Sequence, residues 1–198
     1  MLSSVTLEPA SGWFADIERV VSPNFDARPE GVVVDLVVVH AISLPPGEFG
    51  GGNIECFFKN QLDSLKHSYF RSIEDLEVSA HLLIDRSGLL KQFVSTKFRA
   101  WHCGDSSFDG RGACNDYSIG IELEGSDEHP FTPAQYEMLA DVLIEVSVHY
   151  PLASGARIVG HSDIAPGRKT DPGPCFDWQV MRNMMQDKRR LREKGGPQ

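Results

Sequence analysis

No apolar run in this 198-residue chain approaches the ~18 residues that a membrane-spanning helix requires, so a helical membrane protein is not expected. Basic charge is also short. Nineteen Lys and Arg against 28 Asp and Glu leave a formal net charge of −9, the wrong sign for a nucleic-acid partner. The one basic cluster, Lys188, Arg189, Arg190, Arg192 and Lys194, closes the chain and reads as a solvated last turn suited to the helix dipole. Cysteine is scarce: Cys56, Cys103, Cys114 and Cys175 are scattered without CxxC spacing and read as reduced thiols. The opening residues, MLSSVTLEPASGWFADIERV, lack a basic stretch followed by an apolar one, so no secretory signal is read and the cytoplasm is the expected compartment. Repeats, low-complexity segments and long linkers are missing too. Together these absences leave one domain over 1–198, with its core at about 12–185 and a basic tail at about 186–198.

What is present is the composition of an ordinary globular protein, 41% hydrophobic and 24% charged. Val32–Val39 (VVVDLVVV) is nearly all β-branched and predicts a strand buried on both faces. Ile54, Phe57, Phe58, Leu62 and Leu65 recur at helical spacing and predict a helix over 53–66. Residues 78–84 and 89–94 flank Asp85-Arg86-Ser87-Gly88, a hairpin signal, and 117–123 (YSIGIEL) predicts a further strand. Thr132-Pro133-Ala134-Gln135 joins an N-cap threonine, a first-turn proline and a capping-box glutamine, and opens a helix to about Tyr150. A short strand at Arg157–Val159 and a last helix, capped by Asp177 and running through Met184, complete the set. Strands mixed with helices predict a single-domain α/β fold, a central mixed sheet flanked by helices.

Three segments carry reactive side chains. His40 follows the most buried strand, at the edge where ligands collect in open α/β sheets; taken alone it is equally a metal ligand or a hydrogen-bonded imidazole. On strand 117–123 alternation puts Ile119, Ile121 and Leu123 on one face and Gly120, Glu122 and Glu124 on the other. Glu122 is placed to be a general base, the glycine allows close approach, and Glu124 reads as a solvated strand residue. The third segment, GHSDIAPGRKTDPGPCFDW (160–178), is so rich in glycine and proline that an irregular loop is expected, with His161, Lys169 and Asp171 on it. His40, His161 and Asp171 make an N/O set that suits zinc, with a fourth position for water, but they are too far apart to form a local motif.

The blocks VVVHAISLPPGEFGG, VSAHLLIDRSG, RAWHCG, CNDYSIGIELEGSD, FTPAQY and GHSDIAPGRKTDPGPCFDW occur in the order seen in the AmpD family, which the chain resembles from about residue 12 to 185. That family comprises zinc-dependent anhydro-N-acetylmuramoyl-L-alanine amidases of murein recycling. The resemblance implies the fold of peptidoglycan recognition proteins and phage-type amidases. It places the zinc ligands on His40, His161 and Asp171, the catalytic glutamate on Glu122, the catalytic lysine on Lys169 and a substrate-side tryptophan on Trp101. Implied partners are small anhydromuramoyl-peptides, with no nucleic acid, no membrane and no obligate protein.

Ala41, Glu77 and Ala113 depart from the residues common in that family and bear on recognition of the peptide stem. Cys175 is demoted as a ligand because Asp171 already fills the matching position. His81 and His102 are expected to pack or hydrogen-bond beside the cleft, and His67, His129 and His149 to lie at the surface. A non-catalytic peptidoglycan-binding sensor of the same fold is the alternative function; a periplasmic amidase would need an export signal.

Overall fold

In a computed structural model, residues 5–194 are described. Six strands form the central sheet: β1 (Glu18–Arg19), β2 (Leu36–Ile42), β3 (Leu82–Ile84), β4 (Leu90–Gln92), β5 (Ser118–Glu124) and β6 (Ile158–Gly160). Their spatial order is β6-β2-β5-β3-β4-β1. All neighbouring pairs are parallel except the β3–β4 hairpin, so the sheet is mixed as expected. The turn of that hairpin is Asp85–Gly88: Gly88 has φ 86°, and Asp85 Oδ1 accepts the backbone N–H groups of Ser87 and Leu89.

Period-two alternation divides the sheet into two faces. Val37, Val39, Ile119, Ile121 and Leu123 bury one face against α3 (Pro133–His149), whose Leu139, Val142, Leu143 and Val146 are fully buried there. Helix α5 (Trp178–Lys194) packs over α3 through Met181 and Met185. The capping box holds in full: Gln135 N donates to Thr132 Oγ1, and Thr132 N donates to Gln135 Oε1. The other face carries Leu36, Val38, His40, Gly120 and Glu122, and is covered by α1 (Asn53–Phe58), α2 (Ser68–Ser72), α4 (His161–Ile164) and long loops.

Four expectations shift. Strand β2 starts at Leu36 and not at Val32, because β5 and β6 offer ladder partners only from Leu36 and Val37 onward; Val33 is 60% exposed. His40 therefore lies inside the strand. The helix expected over 53–66 ends at Phe58. Asn60 adopts φ 58°, Gln61 N folds back to the Cys56 carbonyl, and Leu65 is 81% exposed, so its helical spacing is coincidental. The glycine-rich 160–178 segment is not wholly irregular: α4 is one helical turn within it, with Asp163 Oδ2 accepting the Gly160 N–H at 2.7 Å.

Finally, α5 runs ten residues past Met184. Its basic residues are not simply solvated: Lys188 and Arg192 reach Asp141 of α3 at 2.6 and 3.3 Å. The last four residues of the expected tail lie outside the described residues.

Candidate active site

Parallel register places His40 of β2 directly beside Glu122 of β5, and Val38 beside Gly120. Both side chains thus rise from the same sheet face, on adjacent strands, with the backbone ladder fixing their separation. His161 enters from the first residue of α4, immediately after β6, which is the other neighbour of β2. Ser162 N donates to the Asp171 carbonyl at 2.9 Å, clamping the ends of the intervening loop. That clamp returns Asp171 to the sheet edge beside His161.

Three atoms converge as a result. His40 Nδ1 stands 3.0 Å from His161 Nδ1 and 3.2 Å from Asp171 Oδ2, and His161 Nδ1 stands 3.1 Å from the same oxygen. Ligands about 2.0–2.2 Å from one tetrahedral ion lie only slightly further apart than this. The protonation pattern fits a cation as well. His161 Nε2 faces the Cys103 carbonyl at 3.0 Å, and a carbonyl can only accept. The single proton of a neutral His161 therefore sits on Nε2, leaving Nδ1 a lone pair turned toward a carboxylate. Burial drives the His40 imidazolium pKa down to about 4, so the His40 ring is neutral near pH 7. Among the described residues a second group, His40, His102 and Cys103, also brings three donor atoms within 4.8 Å of one another.

All six residues singled out from the sequence line one cavity of about 420 Å³: His40, Trp101, Glu122, His161, Lys169 and Asp171. Its floor is the donor cluster, and Leu44, Phe57, Phe58, Ile73 and Val78 supply an apolar wall. Glu122 Oε2 is buried with no hydrogen-bond partner among the described residues. Burial, reinforced by the nearby Asp171 carboxylate, pushes its pKa well above the ordinary range, while Lys169 opposes that shift. A carboxyl raised in this way holds a proton more firmly than an ordinary carboxylate, which suits a group that must both take and give one. Lys169 itself is exposed on the rim.

The surrounding residues resolve the remaining expectations. Glu124 is not a solvated strand residue: it is 5% exposed and its carboxylate accepts the N–H groups of Gly50 and Arg86, at 2.5 and 3.1 Å. It anchors the glycine-rich loop at the cavity rim. His81 is buried and fully bonded, accepting from Gly120 N on Nδ1 and donating from Nε2 to the Phe98 carbonyl, both at 3.0 Å. His102 stacks edge-on against His40 and bonds to it. His129 is exposed; His149 is partly buried against Glu145, and His67 caps α2 by accepting from Tyr69 N. Cys175 is outside both donor groups, and all four cysteines are unpaired. Cys103, whose carbonyl orients His161, gave no signal in the sequence because the contact is made by its backbone.

A parallel-centred sheet with a histidine–carboxylate cluster and a glutamate whose Oε2 is buried above one face is an arrangement suited to hydrolysis. Residues 30–174 match the family described as N-acetylmuramoyl-L-alanine amidase, and the chain belongs to that family. It is an enzyme of that class. Over 168 residues it is 50% identical to the 1,6-anhydro-N-acetylmuramyl-L-alanine amidase AmpD of Haemophilus influenzae, covering 85% of this chain and 91% of that one. A crystal structure of a selenomethionine AmpD derivative superposes with a TM-score of 0.87 at 50% identity, covering 90% of this chain and 98% of that one. The amidase AmiD from Escherichia coli, solved with anhydro-N-acetylmuramic acid-L-Ala-D-γ-Glu-L-Lys, is 25% identical with a TM-score of 0.57, covering 91% and 65%.

Proposed function

We propose that this amidase is a zinc enzyme that cleaves the bond between N-acetylmuramic acid, in its 1,6-anhydro form, and L-alanine in recycled muropeptides. The observation that carries the reading is the convergence of His40 Nδ1, His161 Nδ1 and Asp171 Oδ2 at 3.0–3.2 Å in the cavity where Glu122 Oε2 is buried with no partner among the described residues. Two imidazoles and a carboxylate with room for a water are a donor set typical of catalytic zinc. His40, His161 and Asp171 would hold the zinc, which would supply Lewis acidity that makes water more acidic, its pKa moving from ~15.7 toward ~7, and polarises a carbonyl.

The chain's own groups divide the remaining work. Glu122 takes a proton from the attacking water and delivers it to the leaving alanine nitrogen, which needs one carboxyl to cycle through both states. Lys169 places a fixed positive charge where the carbonyl oxygen becomes negative. Trp101 offers a broad face on the cavity wall against which the sugar or stem can lie. The substrate is a small molecule, and the net charge of −9 argues against a nucleic-acid partner. Among the described residues no helix is long and apolar enough to cross a membrane. The unpaired cysteines support a reducing compartment, the cytoplasm. The relatives' activity, together with Glu122 and Lys169 beside the donor cluster, favours catalysis over a sensing role.

Mass-spectrometric analysis of products from anhydro and reducing muropeptides, with and without chelator, tests the reading. Release of intact stem peptide from the anhydro substrate, abolished by chelation and restored by zinc, is expected. Chelator-insensitive cleavage overturns the zinc assignment, and equal rates on both sugars overturn the anhydro preference.

A further inference from the structure

Both histidines of the donor cluster hold their outer nitrogens against the same two consecutive residues. His40 Nε2 meets His102 Nδ1 at 2.9 Å, and His161 Nε2 meets the carbonyl of Cys103 at 3.0 Å. These two residues are themselves fixed. Asn115 Oδ1 accepts both of their backbone N–H groups, at 3.1 and 2.8 Å. The far nitrogen of His102, Nε2, lies 3.2 Å from Ser118 Oγ on β5, where Ser118 is fully buried. The ring also rests on bare backbone: a Cβ on Gly120 would stand 2.5 Å from its Cγ and Nδ1. Any side chain at position 120 displaces the ring, so the glycine and the histidine form one fitted unit.

We propose that the His102–Cys103 dipeptide is the positioning element of the metal centre, taking a hydrogen from each imidazole so that both rings present bare Nδ1 atoms beside Asp171. This rests on the zinc reading above. The chemistry is directional. With Nδ1 of His40 committed inward, its proton sits on Nε2 and is donated to His102 Nδ1. His102 then carries its own proton on Nε2 and donates it to Ser118 Oγ. Each bond fixes one tautomer and the tilt of one ring, which raises ligand basicity and removes rotational freedom that binding would otherwise have to freeze. His102 borders the same cavity, but the role assigned to it is exerted through its bond to His40.

The rival use of the same atoms is direct ligation, with His40, His102 and Cys103 holding a second ion. The experiment separates the two. Metal affinity of the wild type, H102N and H102F is measured by chelator competition, with the visible spectrum of the cobalt-substituted protein and the unfolding midpoint of the metal-free protein alongside. Asparagine sets an acceptor oxygen near the place of Nδ1; phenylalanine keeps the ring's bulk on Gly120 but accepts nothing. H102F is expected to bind metal about 10- to 100-fold more weakly, with a changed cobalt spectrum. H102N is expected to recover most of the affinity, and the metal-free midpoints to stay close together.

Equal affinity in H102F and wild type overturns the proposal while leaving the zinc reading intact; a wild type that binds no metal overturns both. Two equivalents of cobalt per chain, or a thiolate-to-cobalt charge-transfer band that C103A removes, show ligation instead and overturn the positioning role. If H102F does not fold, H102N against H102Q reads the same contrast, since glutamine moves the acceptor away from the Nδ1 position. Loss of affinity in H102Q alone supports the proposal; equal affinity in the two overturns it.

Discussion

His161 turns its Nε2 hydrogen to the backbone carbonyl of Cys103, 58 residues earlier in the chain, at 3.0 Å. The bond leaves Nδ1 of His161 without a proton in a neutral ring, 3.1 Å from Asp171 Oδ2. A lone pair and a carboxylate at that distance repel unless positive charge lies between them.

Purified protein is therefore expected to contain about one zinc per chain, and H161A to contain almost none. Metal analysis by mass spectrometry reads the result directly. Full occupancy in H161A would remove His161 from the donor set.

Glu122 separates from the metal in its consequences. E122Q keeps the shape of the side chain and all three donors, so metal content should match the wild type. Turnover should fall about 10²- to 10⁴-fold, the range for losing a positioned acid–base group. Undiminished kcat would show that the proton travels by another route.

Lys169 should divide differently between binding and rate. K169M retains most of the stem's bulk but no charge, and is expected to lower kcat by about 10²- to 10³-fold with a smaller change in KM. A large rise in KM at constant kcat would make the lysine a substrate anchor instead.

Stability against pH is set in part by His81. Burial, with the Arg28 guanidinium nearby, lowers its pKa to about 3 in the fold against 6.5 in the unfolded chain. The folded state thus prefers the neutral ring, so its contribution is complete above pH 6.5 and is lost as pH falls toward 3. Between those limits one such group costs about 1.4 kcal/mol per pH unit. Urea unfolding at pH 7 and pH 5 should show a loss of about 2 kcal/mol from this residue, reduced in H81Q. His40 and His102, also held neutral by burial, keep the slope from vanishing. An unchanged slope in H81Q would show that His81 is not held neutral in the fold.

Local signals were legible where they were complete in a few consecutive residues. The Thr132 capping box, the Asp85–Gly88 turn and the alternation along β5 all stand as read, since each depends on near neighbours. Signals that depend on a distant partner misled. Val32–Val34 have strand-forming side chains but no strand to pair with, and Glu124 looked solvated because a loop more than 70 residues earlier closes over it. The site behaves likewise. Spacing could not join His40 to His161, since their proximity is created by β6 lying beside β2; only resemblance to a family joined them. His102 and Cys103 carry no motif of their own, because one meets His40 through its ring and the other meets His161 through its backbone.

The parallel register of His40 and Glu122 also separates what this enzyme does from what it accepts. The separation of His40 and Glu122 is set by a ladder of backbone hydrogen bonds, which side-chain changes on the rim leave alone. The cavity walls are instead built by the loop around Leu44 and Pro46 and the segment from Tyr69 to Val78. Those segments can be exchanged or lengthened to admit a different peptide stem while His40 and Glu122 keep their places on the sheet.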